Sequence, residues 1–144
     1  MALINRNSPS TVQLRAVAHQ VERFRHEVKV GKHGLVADEP EDAGGEDAGP
    51  SPQELLAAAL ATCTAITMEM YAQRKEWPLE DVEVRVETHY EGPTPRRFDV
   101  TLRLPKELSE DQQERLKAIA ERCPVHKALR GETDVSIIDR VELI

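Results

Sequence analysis

The segment from Ser51 to Gln73 constrains the fold more than any other part of the chain. Ser51-Pro52-Gln53-Glu54 is a complete helix start: serine suits the N-cap, proline suits the first helical position, and Glu54 closes an S-x-x-E capping box. The helix it opens should run to about Gln73. Leu55, Ala59, Cys63, Ile66 and Met70 fall on one face, and Leu56, Leu60, Thr67 and Tyr71 on a second. A helix apolar over most of its girth belongs in an interior. The run Ala57-Ala58-Ala59 lets another backbone approach closely. One chain of 144 residues is long enough for a single domain with a real core. Aromatic residues make up only 3%, so that core must be built from Leu, Val, Ile and Ala.

Around this helix the pattern alternates. Val12, Leu14, Ala16 and Ala18 read as a strand, as do Phe24, His26, Val28 and Val30. After a turn at residues 31–34, Leu35-Val36-Ala37 makes a third short strand, giving an antiparallel meander. Residues 38–50 contain two prolines, three glycines and six acidic residues, a loop of a length that often carries function. Downstream, Val82, Val84 and Val86 pair with Phe98, Val100, Leu102 and Leu104 across a turn holding Gly92, Pro93 and Pro95. Ser109-Glu110-Asp111-Gln112 opens a second capped helix with Leu116, Ile119 and Ala120 as its stripe. Cys123-Pro124 ends it, and Pro124 starts a short helix to Leu129. A final strand is expected over residues 135–143. The order βββ-α-ββ-α-β is an α+β pattern in one domain, residues 1–144.

Charge and composition exclude several classes. The net charge of −7 repels phosphate backbones, so nucleic acid is not an expected partner. Neither a membrane span nor an apolar signal core is expected, which makes the cytoplasm the default location. Two cysteines do not suggest a disulfide-stapled secreted scaffold. Phosphate loops, nucleophile elbows and H-E-x-x-H motifs are missing. Cys123 and His126 have C-x-x-H spacing without a second half-site, so no metal or other cofactor is expected.

The two cysteines carry the chemistry. On its own, Cys63 reads as an apolar core residue, because free cysteine is commonly buried. Cys123 would occupy the N-cap of the short helix, where backbone N–H groups and the helix dipole stabilise a thiolate. His126 lies close enough in sequence to help. The alternative is a thiol that merely caps.

Together, Gly49-Pro50-Ser51-Pro52-Gln53-Glu54-Leu55-Leu56 running on through Ala61-Thr62-Cys63-Thr64, and Cys123-Pro124-Val125-His126-Lys127-Ala128-Leu129, resemble the two cysteine motifs of the OsmC/Ohr family. That resemblance implies antiparallel sheets wrapped around two long central helices in an intertwined homodimer. It implies organic hydroperoxide reduction, with Cys63 as the peroxidatic and Cys123 as the resolving cysteine, reset by a dithiol reductant. The family glutamate ten positions before the first cysteine corresponds to Gln53, with Glu54 beside it. No arginine lies between Val28 and Gln73, so Arg25 becomes the candidate cation, with Arg15 and His33 as substitutes. A second possibility is a non-catalytic protein of the same fold that binds a small apolar ligand or senses redox state.

Overall fold

The structure is a computed structural model and describes residues 13–144. Its elements are β1 (Ala16–Glu22), β2 (Arg25–Val30), β3 (His33–Ala37), α1 (Pro52–Lys75), β4 (Glu83–Glu91), β5 (Thr94–Arg103), α2 (Glu110–Ala120) and α3 (Pro124–Leu129). The expected α+β order is present up to its last element. The chain divides into two compact units, one ending at Leu55 and one running from Leu56 to Ile144.

The first unit is the antiparallel meander β1-β2-β3. Ala18 pairs with Val28 and Val28 with Leu35, so the alternating residues fall in register. Gly31, at φ 60°, makes the tight turn into β3 and needs no side chain to avoid strain there. The turn is shorter than expected, because His33 and Gly34 already belong to β3. Val12 of the expected first strand lies outside the described residues.

The acidic segment after β3 is ordered around one carboxylate. Asp38 is buried and accepts backbone N–H bonds from Glu39 (2.8 Å), Glu46 (3.2 Å) and Ala48 (3.2 Å). Its own N–H donates to the Pro50 carbonyl at 3.2 Å. Burial alone raises the Asp38 pKa, but those three bonds and the Arg25 charge outweigh it and hold the carboxyl below its ordinary value. A Cβ on Gly49 would lie 2.1 Å from the Val36 carbonyl oxygen, so only glycine lets the loop close against β3. Sequence composition marked this stretch as a loop; the buried acid at its centre was not legible in it.

The second unit holds the core. Met68 and Ala72 of α1 pack with Leu108, Leu116 and Ala120, and Trp77, Val84 and Leu102 cover the cluster. Met68 and Leu116 are fully buried, and each such side chain contributes about 1.5–3 kcal/mol. By length and composition α1 could cross a bilayer; its buried stripe of Leu60, Cys63, Thr64, Thr67, Met68 and Ala72 instead marks a core helix. That stripe has regular three- and four-residue spacing and replaces the two broader faces expected from sequence. Both capping boxes form. Ser51 N donates to Glu54 Oε1 at 3.0 Å and Glu54 N to Ser51 Oγ at 3.2 Å. Ser109 and Gln112 make the same exchange.

The expected C-terminal strand does not form. Residues beyond α3 make no strand pairing among the described residues, and Val135, Ile137, Ile138, Val141, Leu143 and Ile144 are strongly exposed. A strand needs a partner edge as well as a suitable pattern, and this segment has none among the described residues.

Candidate active site

Cys63 and Cys123 come together. Cys63 lies on the buried stripe of α1, and Cys123 is the N-cap of α3; both are free and buried. The Cys123 thiol is near enough to act on the ionisation of Cys63. Pro124 at the first position of α3 forces the turn that lets the Cys123 side chain fold back over the helix start. There Cys123 Sγ accepts the His126 N–H at 3.5 Å.

The electrostatics of Cys63 are a contest. Burial raises its pKa most, and the bond with Cys123 raises it further; a backbone hydrogen bond from Val125 and the Thr67 hydroxyl oppose them. The net direction is upward, so Cys63 rests as a neutral thiol. Val125 and His126 are adjacent first-turn residues of α3, so that single turn serves both sulfurs.

The other residues expected at the site have other engagements. Gln53 is exposed in the first turn of α1. Glu54 caps that helix. Arg25 pairs with Glu22 at 3.6 Å and Glu46 at 3.7 Å within the first unit. Arg15 and His33 are exposed. Among the described residues, no three His, Cys, Asp or Glu side chains gather as metal ligands would.

Two features beside the sulfurs were not visible in sequence. Thr64, next to Cys63, is fully buried, and its Oγ1 has no hydrogen-bond partner among the described residues; the same holds for His126 Nδ1. Such an unmet group costs about 1–3 kcal/mol. Both residues line a cleft of about 530 Å³ bounded by β5, α2 and α3. Only the position of His126 three residues after Cys123 hinted at this.

A family model described as OsmC-like protein matches residues 44–138, a span that includes both cysteines. The chain belongs to the OsmC-like family. Solved structures of similar fold agree with that placement. The OsmC like protein from Mycoplasma pneumoniae superposes with a TM-score of 0.73 at 19% identity, covering 85% of this chain and 90% of its own. The organic hydroperoxide resistance protein OsmC from Legionella pneumophila, described as a predicted redox protein and regulator of sulfide bond formation, gives 0.63 at 27% identity, covering 85% and 92%. The organic hydroperoxide resistance protein OhrB of Bacillus subtilis gives 0.57 at 24% identity, covering 85% and 94%. No curated protein matches this OsmC-like chain in sequence.

Proposed function

We propose that the protein reduces organic hydroperoxides through Cys63 and Cys123. The observation that carries this reading is that two buried free thiols from distant parts of the chain come close enough for one to act on the ionisation of the other. The Legionella relative's description as an organic hydroperoxide resistance protein supports it. In the proposed reaction the Cys63 thiolate attacks the outer peroxide oxygen, the O–O bond breaks, and the alkoxide leaves and takes up a proton as the alcohol. Cys63 becomes a sulfenic acid. The Cys123 thiol condenses with it, forming the S–S bond and releasing water. A dithiol reductant supplies the two electrons and two protons that restore both thiols.

The reading includes a cytoplasmic homodimer of one-domain protomers with Arg25, Gln53 and Glu54 contributing to the site. Exposed apolar side chains on β1–β3, exposed Ala58 and Ala59 on α1, and the unpaired apolar C-terminal segment support a second copy as their cover.

The test is to mix reduced protein with cumene hydroperoxide and follow thiol loss. Wild type should lose two thiols per chain while Cys63→Ser consumes no peroxide above background. Equal consumption by Cys63→Ser overturns the reading. The raised Cys63 pKa favours keeping a second reading, a thiol pair that senses redox state without turnover; it predicts disulfide formation that a dithiol reverses with no sustained peroxide consumption.

A further inference from the structure

Tyr71 lies about two turns along α1 from Cys63, about 12 Å by the helical rise, and three cations gather on it. Arg74 and Lys75 follow it at the spacing that puts side chains on one helix face. Arg74 Cζ and Lys75 Nζ each stand 5.8 Å from the centre of its ring. Arg115 reaches it from the middle of α2, with Cζ 5.4 Å from the same centre and Nε donating to Tyr71 Oη at 3.0 Å. The helix dipole accounts for cations in the last turn of α1, but not for Arg115, which comes from another element. All three are exposed, and the ion pairs formed among the described residues engage other groups. Held within 5.8 Å of one point, the charges repel one another with little screening from salt. The Tyr71 phenol registers that field: the Arg115 bond, opposed by burial and reinforced by all three charges, holds its pKa below the ordinary value. Because Tyr71 Oη accepts from Arg115, its own hydrogen is free to donate, and no acceptor for it is present among the described residues.

We propose that Tyr71, Arg74, Lys75 and Arg115 bind the phosphoryl group of a small phosphorylated molecule, with the Arg115 guanidinium and the Tyr71 hydroxyl donating to its oxygens. A phosphoryl group carries a charge of about −1.5 to −2 at neutral pH and three acceptor oxygens. It matches three cations and a free O–H better than a carboxylate, which brings a single charge. The planar fork of arginine is shaped for such an oxyanion. A nucleic acid presents the same group, but a long polyanion would have to lie along a chain of net charge −7. A small ligand meets the local cations alone. With all three cations exposed, the site holds the phosphoryl end and leaves the rest of the ligand in water. It stands apart from the thiol pair and needs no turnover there.

The chain carries its own reporter. Trp77 is its single tryptophan and packs edge-on against Tyr71, with ring centroids 5.5 Å apart at 73°. Inorganic phosphate and glycerol 3-phosphate are titrated separately into the full chain, with ionic strength held constant by sodium chloride. Both should change Trp77 emission saturably, because the site reads the phosphoryl group whether free or esterified. Arg115→Gln should weaken both at least about tenfold, the effect of losing a hydrogen bond to a charged group. Arg115→Lys keeps the charge without the fork, so its affinities should fall between the two. Absence of saturation by about 10 mM of either probe, or an unchanged affinity in Arg115→Gln, overturns the proposal. The first of these is read on wild type and does not depend on any variant folding.

Discussion

Cys123→Ser should divide the proposed reaction at its midpoint. Cys63 would still attack the peroxide, but its sulfenic acid would have no thiol to condense with. Dimedone labelling of Cys63, followed by mass spectrometry, should rise in this variant and stay low in wild type. The upward shift of the Cys63 pKa, caused first by burial and then by the Cys123 bond, fixes the pH dependence. Below that pKa the thiolate fraction grows about tenfold per pH unit, so the rate of thiol loss should climb steadily through neutral pH without a plateau. Thr67 opposes the shift through its bond to Cys63. Thr67→Val should therefore move the whole rate profile to higher pH, which stopped-flow measurements from pH 6 to 10 would show. Sequence gave good access to the identity of these two sulfurs, since a mid-helix cysteine and a Cys-Pro N-cap are local patterns. It gave little access to their surroundings. Thr67, Thr64 and the His126 ring matter through what they face across the fold, and no spacing rule encodes that.

Among the elements, the parts legible in sequence were those whose causes are local. Both capping boxes formed because serine and an acid or amide three residues on satisfy each other's backbone without help from elsewhere. Ser51→Ala and Ser109→Ala should each cost about 1 kcal/mol of stability, measurable by urea denaturation at unchanged m-value. The strand alternation of β4, with exposed and half-buried residues taking turns along its length, was equally plain. The final strand was the instructive failure. Residues 135–143 have the apolar content of a strand, but pairing is a property of two segments, and sequence describes one. The stripe on α1 also came out narrower than its composition suggested, because alanines are apolar whether or not anything covers them.

At the scale of the whole molecule, the proposed dimer would cover the apolar surface that one chain leaves open. Native mass spectrometry or light scattering should give twice the 16.2 kDa chain mass, and deletion of residues 134–144 should shift the population toward monomer. A concentration-independent monomer for the full chain would remove the homodimer from the proposal. The acidic loop after β3 has its own consequence at this scale, since a cut there would free the meander from the rest of the chain. To an endoprotease that reads acidic residues, residues 38–50 spell out a row of cleavage sites. Folded around Asp38, they are withheld as an extended substrate. Because the Asp38 pKa is depressed, that protection is complete above the ordinary carboxylate range and is lost as pH falls through the lowered value. Asp38→Asn should therefore be nicked at neutral pH at a rate wild type reaches only in acid. One inward-facing carboxylate thus decides whether a stretch with the composition of a linker is cut as one.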